Sequence, residues 1–104
     1  LRALGARRVG SYQLTVRADA DILDVFLYGL TEFGMAQAEH YQGILEHTFQ
    51  LLADNPRMGR AAEVIGAGVR RHECGAHVIL YEEATDGVLI LAVVHSRSVR
   101  RLSL

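Results

Sequence analysis

Residues Gly68–Tyr81 read GVRRHECGAHVILY, and the parsing of this stretch decides the fold. Its first half is crowded with arginine, histidine, glutamate and cysteine. Its second half is almost wholly apolar, and Gly75–Ala76 between them marks a turn. The stretch reads as a β-hairpin that joins a sheet edge to a sheet centre. On Val69–Cys74, Arg71 and Glu73 fall on one face and Arg70 and His72 on the other. A strand charged on both faces belongs at an edge. His77–Tyr81 is apolar on both faces and belongs in the middle.

Working outward, Val88–Val94 (VLILAVV) is a second doubly apolar strand, and Asp86–Gly87 signals the turn that leads into it. The tail Ser96–Leu104 is Arg-rich, with Val99, Leu102 and Leu104 as candidate anchors. On the N-terminal side, Pro56–Gly68 is a loop of about a dozen residues, long for a connection. Met35–Ala53 carries an apolar stripe at helical spacing, from Ala38 through Tyr41 and Leu45 to Leu52. Asn55–Pro56 stops it, because the residue before proline is pushed out of the helical region. Asp19–Phe33 is another helix, with Ile22, Val25, Phe26, Gly29, Leu30 and Phe33 on one side and carboxylates near its start. Gly34 between the helices supplies a left-handed residue, so the two must pack antiparallel. Tyr12–Val16 alternates and reads as a short first strand. Residues 1–11 are basic and aperiodic, a flexible arm ahead of a domain spanning 12–104.

The expected architecture is α+β: one four-stranded, mainly antiparallel sheet with a helical hairpin from the N-terminal half on one face. The two turns set the strand order. The first strand takes the free edge of Val88–Val94. The helices cannot cover both faces of the central strands, so the tail, a second copy or a partner must cover the other.

The totals exclude several functions. A chain of 104 residues is one domain. The formal net charge is −1, without the basic excess that phosphate contacts demand, so no direct nucleic-acid binding is expected. All 11 basic residues are arginine, a planar fork suited to carboxylates and interfaces. The lone Cys74 fits a reducing, cytoplasmic setting. No apolar run reaches the roughly 20 residues of a membrane span. His40 and His47 lack Cys or Asp at ligand spacing, so neither a metal nor a cofactor is expected.

Five segments, in order, resemble the ParE-type toxins of the RelE/ParE superfamily: YQLTVRADADILDVFLY from Tyr12, EFGMAQAEHY from Glu32, ADNPRMGR from Ala53, GVRRHECGAHVILY from Gly68 and AVVHSRSV from Ala92. Phe33 replaces a tryptophan, Ala92 stands where the family often has Arg, and Ser98–Val99 stand where Met-Asp is usual. The resemblance implies the toxin of a type II toxin–antitoxin module that inhibits DNA gyrase and is neutralised by a ParD-like antitoxin. RelE-type relatives instead cleave mRNA on the ribosome, and a degenerate toxin that only binds its antitoxin is a third alternative.

Arg57, Arg60, Arg70 and Arg71 are candidate forks for carboxylates of the antitoxin. Val78, Leu80 and Leu91 are candidates for its apolar contact. Were the chain a ribonuclease, Arg71, Glu73 and His95 would be its clamp, base and acid. The expectation is action by binding, without catalysis. His77 is read as pinning the hairpin turn, Tyr81 as core with its hydroxyl at the rim, and Cys74 as a buried inert thiol.

Overall fold

The computed structural model describes residues 10–101, so the expectations for residues 1–9, Leu102 and Leu104 lie outside the described residues. The chain runs β1 (Ser11–Leu14), α1 (Val16–Phe33), α2 (Met35–Asp54), β2 (Arg60–Ala61), β3 (Arg70–Cys74), β4 (His77–Ala84), β5 (Gly87–His95) and a 3-10 helix, Ser96–Arg101. The sheet order is β1-β5-β4-β3-β2. β1 pairs parallel to β5, and every other pairing is antiparallel. No helix among the described residues is long and apolar enough to cross a membrane.

The α+β architecture and the expected strand order hold, with one addition. Arg60–Ala61 forms a fifth strand by pairing with Arg71 and Arg70. The charged strand β3 is therefore second from the edge. The first strand and helix also meet earlier than their patterns suggest. Thr15 leaves β1 and caps α1: its Oγ1 accepts from the Ala18 N–H at 3.0 Å and donates to the Leu91 carbonyl at 2.9 Å. Such a cap contributes about 1 kcal/mol. Asp21 on α1 then accepts from the Val93 N–H at 3.0 Å, satisfying β5 beyond the point where β1 departs. The helices meet at Gly34, whose φ is 88° as the pattern requires. The second turn falls on Thr85–Asp86, between the paired Ala84 and Gly87.

Two apolar clusters lie on opposite faces of β4 and β5. The helical face buries Leu45, Phe49 and Leu52 of α2 against Ile79, Tyr81, Ile90 and Val93. The other face holds Val78, Leu80, Ala92 and Val94 beneath Ala62 and Val69 of the long connection and Val99 of the 3-10 helix. Of the three covers open to the second face, the chain supplies its own, from its tail and the Pro56–Gly68 loop. That loop is fastened from below. Tyr81 is fully buried, and its hydroxyl donates to the Pro56 carbonyl at 2.8 Å and accepts from the Gly59 N–H at 2.9 Å.

Candidate functional site

With both sheet faces covered, most of the unburied apolar surface among the described residues lies on the helices. α2 buries six residues, whereas α1 buries Ala18 alone. Leu23, Leu27, Tyr28 and Phe33 of α1 and Met35 of α2 are about half exposed or more, Phe33 at 67%. The predicted seam along Phe26, Leu30 and Phe33 is thus only partly formed. The apolar face of α1 is wider than the sheet and α2 cover.

Two hollows follow the hairpin. One, of about 650 Å³, is lined by Ile22, Leu23 and Phe26 and rimmed by Asp19, Glu39 and Glu46. The other, of about 680 Å³, runs past Tyr28, Phe33 and Leu45 to Ala76, His77 and His95 at the sheet end. They share Ile22, Phe26 and Gln42 and so adjoin along the helix seam. Both have apolar floors, and the first has an acidic rim.

The lower end is polar. His77 and His95 are register partners across β4 and β5, with ring centres 5.6 Å apart and planes at 74°. The Tyr41 hydroxyl lies 2.9 Å from the Cys74 carbonyl and 2.7 Å from His77 Nδ1. Gly75 makes room for it: its φ is 58°, and a Cβ there would sit 2.6 Å from the Tyr41 oxygen. Burial of the half-exposed ring pushes the His77 pKa down, and the neighbouring His95 adds to the effect. Burial likewise pushes the Tyr41 phenol up, helped by the Cys74 thiol and partly offset by the Ala76 N–H. His77 does pin the turn, through Tyr41. Cys74 is buried, with Thr48 Oγ1 3.6 Å from its sulfur.

The candidate arginines are engaged within the chain. Arg57 pairs with Glu83 at 3.1 Å. Arg60 and Arg71 converge on one oxygen of Glu73, at 2.8 and 2.7 Å. Arg71's hydrogen bond foremost, with Arg60 adding, holds the Glu73 carboxyl below its usual range. Arg70 donates to the carbonyls of Gly59 and Arg57, at 2.6 and 3.1 Å, and so knits the loop to β3. Val78 and Leu80 are fully buried under the loop and tail, so this face presents neither to a partner. Leu91 is half-buried at a bulge where the register skips from Ala92 to Ile90.

The candidate nuclease set does not assemble. Arg71 and Glu73 stand opposite Leu80 and Val78, on the loop-covered face. His95 stands opposite His77, which pairs with Cys74 on the helical face. The sheet separates the would-be base and clamp from the would-be acid. Among the described residues, no group of three or more His, Cys, Asp and Glu side chains could hold a metal ion.

Apolar residues left over from the helical seam, which the sequence offers as a groove for a partner helix, are Leu23, Leu27 and Tyr28, off the stripe from Ile22 to Phe33. The Tyr41–His77–His95 cluster is missed from sequence, because it needs the β4–β5 register.

Solved structures share this fold. The chromosomal ParDE toxin–antitoxin system of P. aeruginosa aligns with a TM-score of 0.70 at 20% identity, over 86% of this chain and 98% of that one. The toxin–antitoxin complex RelBE2 of Mycobacterium tuberculosis aligns with a TM-score of 0.57 at 21% identity, over 86% and 94%. Together with the family match that follows, this makes the fold that of the RelE/ParE toxin superfamily. Residues 12–100 match the profile of the ParE toxin of type II toxin–antitoxin systems. Toxin ParE1 of Caulobacter vibrioides is 37% identical over 84 residues, covering 81% of this chain and 86% of that protein. Toxin ParE1 of Mycobacterium tuberculosis is 32% identical over 87 residues, covering 83% and 89%. The chain belongs to the ParE toxin family.

Proposed function

We propose that this toxin acts in the cytoplasm by binding DNA gyrase, without catalysis of its own, and is silenced by a ParD-like antitoxin laid along the helical groove. The observation that carries the antitoxin part is the unburied apolar face of α1, an 18-residue helix with one buried residue. An exposed apolar stripe with a polar rim suits an amphipathic partner helix. The rim carboxylates Asp19, Glu39 and Glu46 favour basic residues flanking that helix's apolar stripe. Arg57 and Arg60, the more exposed of the edge arginines, are suited to an acidic continuation of the same segment. The apolar contact moves accordingly from Val78 and Leu80 to the hairpin.

Gyrase as the target follows from the family resemblance. Binding is favoured over ribonuclease chemistry by the separation of Arg71 and Glu73 from His95, and by the net charge of −1. The deciding experiment sets purified toxin against gyrase supercoiling and, in parallel, against mRNA in a translating extract. Supercoiling inhibition with intact mRNA is the expected result; mRNA cleavage with supercoiling untouched would overturn it. One observation favours the degenerate alternative. Ala92, where the family often has Arg, is fully buried, and Val99 is packed over the same face. A chain that binds antitoxin tightly but leaves both gyrase and mRNA unaffected would be that protein.

A further inference from the structure

The two imidazoles at the polar end of the groove are locked in opposite tautomers. The Tyr41 hydroxyl has one proton, and donates it to the Cys74 carbonyl. Its oxygen is then an acceptor, so the 2.7 Å contact with His77 is an Nδ1–H donating to Tyr41. Neutral His77 keeps its lone pair on Nε2. At His95 the backbone N–H of Arg97 donates to Nδ1 at 3.1 Å. Neutral His95 therefore carries its proton on Nε2. Neither Nε2 has a hydrogen-bond partner among the described residues. Both rings line the groove. One free acceptor and one free donor are thus held side by side where the apolar floor ends.

We propose that His77 and His95 together bind one amide group of the segment lying in the groove, His77 Nε2 accepting its N–H and His95 Nε2–H donating to its carbonyl. The occupant's identity rests on the antitoxin reading above. An amide offers its donor and its acceptor on two separate atoms, one for each Nε2, whereas a hydroxyl carries both on a single oxygen. A carboxylate offers acceptors only and would set a lone pair against that of His77. An ammonium offers donors only and would set a proton against that of His95. The amide belongs to an Asn or Gln side chain, which presents its N–H and carbonyl together; a trans peptide group points the two in opposite directions.

The pair is also sensitive to acid. Protonation of His77 converts its acceptor into a second donor, which an amide cannot satisfy together with His95. The titratable groups around it are Asp24 of α1, His40 and Tyr41 of α2, Cys74 of β3 and His95 of β5. Burial, with His95 adding to it, pushes the His77 pKa down and so favours its neutral form.

The test uses the full-length toxin and, as probe, the product of the reading frame adjacent to the toxin's own. Imidazole ¹⁵N spectra should report a protonated Nδ1 at His77 and a protonated Nε2 at His95; the reverse assignment at either ring overturns the proposal. In calorimetric titration at pH 7.5, His95→Phe should weaken binding about tenfold, the scale of one lost hydrogen bond. His95→Gln, whose side-chain N–H reaches the Nε2 position, should restore most of it. Wild-type affinity should fall as pH drops below the ordinary histidine value of about 6.5, and that fall should shrink in His77→Gln. Single Asn→Ala and Gln→Ala changes across the partner locate the amide: one tenfold loss identifies it, and the absence of any such loss overturns the proposal. Equal binding by His95→Phe and wild type overturns the proposal and leaves the antitoxin reading standing. Failure of the wild type to bind the probe overturns both.

Discussion

The arginine-rich edge at β2–β3 and the groove along α1–α2 both face solvent, but they differ in what they leave unsatisfied. At the edge, Arg57, Arg60, Arg70 and Arg71 each have a partner in the chain. The charges that stand out in the sequence serve to hold the long loop against the sheet. Along the groove the polar groups are peripheral, and apolar side chains face water with nothing over them. Charge is distributed unevenly too: residues 16–54 carry seven carboxylates and the single Arg17, while the other ten of the 11 arginines lie outside that span. Conspicuous charge is a poor guide to a partner site when its counter-charge lies in the same chain. An apolar helix face without a counterpart is a better one.

The largest expected effect breaks the edge from beneath. Tyr81→Ala removes a fully buried ring and both hydrogen bonds to the loop, and should cost about 3–5 kcal/mol in urea unfolding. Tyr81→Phe isolates the hydroxyl and should cost about 1–3 kcal/mol, the scale for leaving buried polar groups unpaired. The groove should behave in the opposite way. Phe33→Ala should weaken partner binding by about 2 kcal/mol or more if it is an anchor, while unfolding stability moves by no more than about 0.5 kcal/mol. Loss of stability without loss of binding would reverse the contrast between the regions. Arg60→Ala should change stability by about 1 kcal/mol at most, because its pair with Glu73 is exposed and screened.

The smallest effect is a pH dependence that differs between the regions. His77 has a lowered pKa in the folded chain, so protons bind the unfolded chain more readily. Stability should be full above the unfolded histidine value of about 6.5 and decline as pH falls below it. Glu73 is also lowered, so its contribution should persist until pH falls below the unfolded glutamate value of about 4.3. Unfolding curves of His77→Gln and Glu73→Gln across pH 3–8 should remove the two declines separately; a shared loss would mean that the sites are coupled.

Much of this fold was legible, for identifiable reasons. Gly75 and the Thr85–Asp86 neighbourhood fix two hairpins, and two doubly apolar strands leave one place for β1. β2 was illegible because two residues with no pattern of their own become a strand only through pairing with Arg70 and Arg71. The site was less legible. Periodicity gives a residue's angle on a helix but not what lies opposite, so Phe33 was assigned to a seam and stands in solvent. The separation of Arg71 and Glu73 from His95 depends on register, which the bulge at Leu91 shifts by one. The burial of Val78 and Leu80 depends on a loop and tail whose sequence has no helix or strand period.

The parallel pairing of β1 with β5 also sets the order in which the molecule can be completed. Ser11 has to wait for Gly87, and Leu14 for Ile90. The helical hairpin lies between them in the chain, so it is synthesised before the sheet beneath it can close. At synthesis rates of roughly 5–20 residues per second the wait lasts several seconds. Contacts so distant in sequence close late, so the two helices spend that time without the sheet that fixes their shape.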